Sequence, residues 1–146
     1  MPIILFTTLF LSIFGSNCIN DQRIAFLPYN VNAMWINIKG HDTTISFVDA
    51  QRTKKIICEA VKDYNAKHKQ KDFRIHQLNK YYLQCVPYVD STGHLKIWVQ
   101  GVQGTPKGDR WKKEIDMIMD GGNSVFTLEV DLTDNKGSNV GINGWG

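Results

Sequence analysis

The chain is short of almost everything that marks a function by composition. It has three cysteines and four prolines in 146 residues, no second apolar run to match its first, and no strong excess of either charge. Three cysteines are too few for a disulfide-dense scaffold, and 42% hydrophobic residues with so little proline exclude a disordered or collagen-like chain. The balance of 17 Lys and Arg against 14 Asp and Glu, a net +3, is too mild to signal nucleic-acid binding. No Cys-x-x-Cys, His-Glu-x-x-His or Gly-x-Ser-x-Gly occurs, so the local patterns of a zinc site, a metalloprotease and a hydrolase elbow are missing. His41, His68, His76 and His94 are scattered, and no metal or cofactor is expected.

What is present begins at the N-terminus. Ile3 to Phe14 is almost wholly apolar and is followed by Gly15, Ser16 and Asn17. A membrane-crossing helix needs roughly 20 such residues, so the run is too short to span. It matches the apolar core of a secretory signal with small residues behind it, although no Lys or Arg precedes it. Residues 1–17 are therefore expected to be a signal peptide, and the protein to be exported: periplasmic, lipid-anchored or secreted. Cys18 stands where a lipoprotein signal places its acylated cysteine, which makes it a candidate lipidation site. In an oxidising compartment Cys58 and Cys85 would be free to bond; two buried thiols are the alternative.

No repeat or linker divides the remainder. Residues 18–50 read as an N-terminal extension with a short β-hairpin, Met34 to Ile38 and Thr43 to Val48 around Gly40-His41-Asp42. Residues 51–146 read as one α+β domain. Asp49 is expected to cap a helix running to about His68, with Ile57, Ala60, Val61 and Tyr64 forming one apolar stripe. Arg74 to Val89 is rich in β-formers, with a bulge or bend near Gln77-Leu78. Alternation predicts strands at Leu95 to Val99, Ile115 to Met119 and Phe126 to Leu132, with turns at Asp120 to Asn123 and Asp134 to Gly137 leading into Val140 and Ile142. The expected fold is one amphipathic helix packed across an antiparallel β-meander of four to five strands.

Ala60-Val61-Lys62-Asp63-Tyr64-Asn65 resembles the helix signature of cystatins, and Gln84-Cys85-Val86 lies close to the place of their Gln-x-Val-x-Gly blocking hairpin. The resemblance covers Ile56 to Val102 and implies a cystatin-like roll. It would make Gln84 and Val86 partner contacts of a cysteine-protease inhibitor. Tyr88 stands where the motif ends in Gly, and the second cystatin wedge, Pro-Trp, is replaced by Asp134 to Gly137. A literal Gln-x-Val-x-Gly occurs one strand later, at Gln100 to Gly104. The Asp-Gly-Gly turn and terminal Asn143-Gly144-Trp145-Gly146 are also similar to those of small exported bacterial proteins of unknown function.

Candidate contacts outside that motif lie in the Gly-rich loop 101–111, where Gln103, Arg110 and Trp111 combine exposed backbone with anchor-type side chains. Arg52, Lys54, Lys55, Lys62, Lys67, Lys69 and Lys71 form a basic excess that could meet an anionic polymer or surface, or simply face solvent. No catalytic constellation stands out. The expected function is a small exported non-enzymatic binding or envelope accessory domain; the alternatives are the cystatin-like inhibitor and a small hydrolase with a site gathered from distant residues. The expected partner is another protein or an envelope component, with no nucleic acid and with membrane contact only through a lipid on Cys18.

Overall fold

Residues 18–30 and 36–145 are described by the computed structural model of the chain. The expected signal segment, and Met34-Trp35 of the expected hairpin, lie outside the described residues. Among the described residues no helix is long and apolar enough to cross a membrane.

Among the described residues there is one α-helix, α1, spanning Phe47–Lys67. Its cap is Ser46 rather than Asp49: the Ser46 hydroxyl accepts from the Asp49 amide at 3.0 Å. Asp49 then sits in the first turn and pairs with Arg52 at 2.9 Å. Thr53, Ile56, Ile57 and Val61 are buried, so the apolar stripe begins a turn earlier than expected, while Ala60 and Tyr64 pack partly buried beside it. Lys54, read as a solvent-facing cation, is buried and paired with Asp21. The helix ends where Asn65 folds back on the next segment. Its side chain donates to the Ile75 carbonyl at 2.8 Å and accepts from the Ile75 amide at 2.9 Å, satisfying one residue's backbone as a strand neighbour would.

The helix packs on one mixed six-stranded sheet: β1 (Ile24–Phe26), β2 (Gly40–Asp42), β3 (Tyr81–Asp90), β4 (Leu95–Gln103), β5 (Val125–Asp131) and β6 (Lys136–Ile142). The spatial order is β1-β3-β4-β5-β6. Strand β1 runs parallel to β3, pairing Ile24 with Leu83, and β2 pairs antiparallel with β3 farther along, Asp42 opposite Tyr88. The fold is thus α+β with one helix, but the sheet is mixed, not wholly antiparallel. Ile24–Phe26 and Gly40–Asp42 of the expected extension are built into it, and among the described residues no hairpin joins 36–38 to 43–48.

Faces follow from the register. Tyr81, Leu83 and Cys85 on β3, Ile97 and Val99 on β4, and Phe126, Leu128 and Val130 on β5 pack with α1 in one apolar core. Gly101 belongs to that set because any side chain there would overlap the Phe126 ring, which is why β4 runs through the first residues of the expected loop. The opposite face carries Tyr82, Gln84, Gln100 and Val125, and residues 104–121 cross it as a loop, not as the expected strand at 115–119. Gln84 fixes that loop, donating to the carbonyls of Trp111 at 2.6 Å and Glu114 at 2.7 Å and accepting from the Asp116 amide at 2.9 Å. Gln100 donates to the Asp116 carbonyl at 2.7 Å. Buried side-chain amides replace a partner strand here.

Candidate binding site

The expected contacts divide on inspection. Gln84 and Val86 are wholly buried in β3, and Trp111 is 5% exposed, packed edge-on against Tyr82. None of these three is available to a partner, because the loop 104–121 and the centre of the sheet take them up. Gln103 and Arg110 are exposed, Arg110 paired with Glu114 at 2.9 Å.

The cysteines also pair otherwise than expected. Cys18 is bonded to Cys58, with Cα atoms 6.3 Å apart, and Cys85 is a buried free thiol. Cys85 faces the core from the middle of β3, out of reach of solvent, and burial pushes its thiol well above the usual range. Neither a disulfide from Cys58 nor nucleophilic chemistry is open to it. The Cys18 sulfur, engaged in the bond, cannot at the same time carry a lipid thioether.

The disulfide borders an open cleft of about 1070 Å³ between the second half of α1 and the chain from Lys71 to Lys80. Its apolar floor is the disulfide with Val61, Ile75 and Leu78, and its walls carry Lys62, Lys71, Arg74 and Lys80 beside Gln77 and Asn79. The wall opposite the helix is held from below. Asn123 donates to the Arg74 carbonyl at 3.0 Å and contacts His76 Nε2 at 3.2 Å. The Tyr81 hydroxyl donates to the Asn123 carbonyl at 2.6 Å and accepts from the His76 amide at 3.1 Å. Asn123 reaches this position because Gly121 and Gly122 both adopt positive φ, 106° and 54°, a conformation that suits glycine. The Gly-Gly pair signalled a turn, but not that the turn would aim an asparagine inward.

The cleft's charge is one-sided. No Asp or Glu lines it; the carboxylates of neighbouring residues, Asp63 and Asp72, fall outside the lining. Among the described residues none of its four cations forms an ion pair, nor do Arg23, Lys39, Lys55, Lys67, Lys69, Lys107 and Lys113, while Arg52, Lys54, Lys96, Arg110, Lys112 and Lys136 each do. Lys62 and Lys71 belong to the basic excess seen in the sequence; Arg74 and Lys80 join them only through the fold.

A second polar group sits at the far end of the sheet, around the β3–β4 turn. Lys96 lies 3.2 Å from Asp90 and 3.1 Å from Glu129, and the Tyr88 hydroxyl donates to Glu129 at 2.7 Å. His94 contacts Asp131 at 2.9 Å and Asp134 at 3.8 Å. The hydrogen bond to Asp131 raises the His94 pKa. Burial works against ionising Asp131, yet hydrogen bonds from His94 and the Asp134 amide bring its carboxyl below the usual value. Hydrogen bonds, that from the Thr92 hydroxyl foremost, hold Asp90 well below the carboxylate range. The ligand atoms of His94, Asp131 and Asp134 lie within 4.8 Å of one another, close enough to share a cation. A cation there would compete with the proton that His94 shares with Asp131.

Comparison of the chain with protein-family models, with curated proteins and with solved structures gives no match.

Proposed function

We propose that residues 1–17 direct export and that the rest is a non-enzymatic domain, held in an oxidising compartment, which acts by binding another protein or an envelope component. The observation that carries this reading is the Cys18–Cys58 disulfide. It lies immediately behind the apolar segment and ties the first described residue to α1, and disulfides persist in oxidising compartments. A bonded Cys18 favours the cleaved, unlipidated form. Binding rather than catalysis is supported by the inert Cys85 and by the cleft, where His76, tied to Asn123, is the one acid–base side chain and no Ser, Cys thiol or carboxylate stands in the lining. The cystatin-like roll is kept as a description of shape, a helix across a sheet; the inhibitory activity loses support because Gln84 and Val86 are buried.

Intact-mass measurement of the protein recovered from its native envelope fraction tests the proposal. Loss of the first 17 residues, with the mass of one disulfide, is the expected result. A cytoplasmic protein retaining Met1 would overturn export, and a diacylglycerol adduct on Cys18 would overturn the bonded form.

A further inference from the structure

We infer that the cleft beside the disulfide binds a segment of acidic polysaccharide. Four side chains that are positive at neutral pH, Lys62, Lys71, Arg74 and Lys80, face one concave space with no carboxylate in its lining. Cations brought together without counter-charges repel one another, and folding gains nothing from the arrangement. A ligand with several negative charges removes that repulsion. The charges come from both sides, Lys62 on the helix and the others on the facing chain, which suits repeated anionic groups along a polymer lying in an open groove.

The uncharged lining narrows the class. Gln77 and Asn79 lie among the cations and make no side-chain hydrogen bond among the described residues; each amide offers donors and an acceptor suited to hydroxyl groups. Val61, Ile75 and Leu78 pack buried beneath the cleft, and Ala66, exposed in its lining, offers apolar surface to the C–H face of a sugar ring. An anionic membrane fits less well, because the cations line a hollow and a flat bilayer reaches only a rim. The polysaccharide class rests on the export reading; the cationic cleft itself does not.

The test is calorimetric titration of the disulfide-bonded chain with polygalacturonate at about 50 and 200 mM salt, beside neutral dextran, polyglutamate and phosphatidylglycerol vesicles. The variants are K71Q/K80Q in the cleft and K112Q/K136Q, an equal charge change at exposed sites away from it. Polygalacturonate should bind, more weakly at the higher salt, and K71Q/K80Q should lose about tenfold in affinity, roughly 1.4 kcal/mol, while K112Q/K136Q should not. Equal losses in both variants would overturn the site as a general charge effect. Polyglutamate or vesicles bound more tightly through Lys71 and Lys80 would overturn the polysaccharide class, and dextran bound equally well would overturn the role of charge. Unchanged melting of K71Q/K80Q shows that the fold is intact. The mass measurement reads export independently, so the two proposals fail separately.

Discussion

The two ends of the sheet treat charge in opposite ways. Around the β3–β4 and β5–β6 turns, Asp90, His94, Lys96, Glu129, Asp131, Asp134 and Lys136 all have partners within 4.0 Å. Around the cleft, Lys62, Lys71, Arg74 and Lys80 have none. The first pattern is explained by folding, since charges brought near a sheet face lose solvation and need partners. In the second the four side chains are exposed and solvated, so folding neither requires partners for them nor gains from grouping them around one hollow, and they lie beside the one covalent cross-link, which holds the cleft's border without help from charge.

That cross-link should therefore matter most. It closes a sequence separation of 40 residues, and in the chain-entropy account a loop of that size is worth about 4 kcal/mol. C18S/C58S should lower the unfolding free energy in urea by about 2 to 4 kcal/mol and steepen the slope, because the unfolded chain without the cross-link is less compact. A loss below about 0.5 kcal/mol would mean that the cleft end is held by packing alone, and the contrast between the ends would weaken.

At the paired end, Lys96→Met should cost less, about 1 to 2 kcal/mol, because it leaves Asp90 and Glu129 facing each other around an apolar side chain. Thermal melting at neutral pH reads the loss. The double variant K96M/E129Q should recover part of it, since Asp90, still held by Thr92 and the His94 amide, is then the one carboxylate left without the lysine.

How much of this contrast was legible beforehand differs from residue to residue. The β5 alternation, with Phe126, Leu128 and Val130 inward, is a local pattern and reads directly from the chain. The stripe on α1 reads in part: Ile57 and Val61 are buried as expected, but the buried face starts a turn earlier, at Thr53. The strand expected at 115–119 has a similar alternation, yet Met117 and Met119 are exposed, because Gln84 and Gln100 supply the hydrogen bonds a neighbouring strand would have supplied. Parallel pairing of the three-residue β1 with β3 has no local signal at all. The cleft was half legible: Lys62 and Lys71 stood out as a basic excess, but Arg74 and Lys80 join them only when Asn65 and Asn123 fold the intervening chain back. Three cysteines permit three pairings, and reading Cys18 as a lipid site leaves Cys58 either bonded to Cys85 or free, whereas Cys58 is bonded to Cys18 and Cys85 alone is a buried thiol. What decides between them is the burial of Cys85, a tertiary fact.

A smaller effect belongs to His94. Its pKa is raised from the ordinary 6.5, first by the hydrogen bond to Asp131, so its stabilising contribution is complete below 6.5 and disappears as pH rises through the raised value. Asp131, lowered from 3.8, contributes above 3.8 and loses its contribution as pH falls through its folded value. The pair is strongest between those two ordinary values. Asp131→Asn should lower the His94 midpoint in an NMR titration of its ring protons; a midpoint left in place would show that the charges of Asp134 and Asp90 set it instead.

The smallest change in stability is expected at the cleft, where it is also the most informative. In Lys71→Gln/Lys80→Gln no ion pair is broken, because neither lysine has one, and both side chains are exposed. Surface changes of this kind fall within about 0.5 kcal/mol, and removing two of four mutually repelling charges favours the folded state rather than opposing it. Melting of the variant should therefore match or slightly exceed that of the unaltered chain, in the same buffer in which Lys96→Met melts lower. A matching loss at both ends would mean that the cleft lysines hold the structure together as Lys96 does, and the distinction between a charge kept for folding and one kept for a ligand would fail. If instead stability is unchanged while polygalacturonate affinity drops, those lysines serve the ligand, because folding proceeds equally well without them.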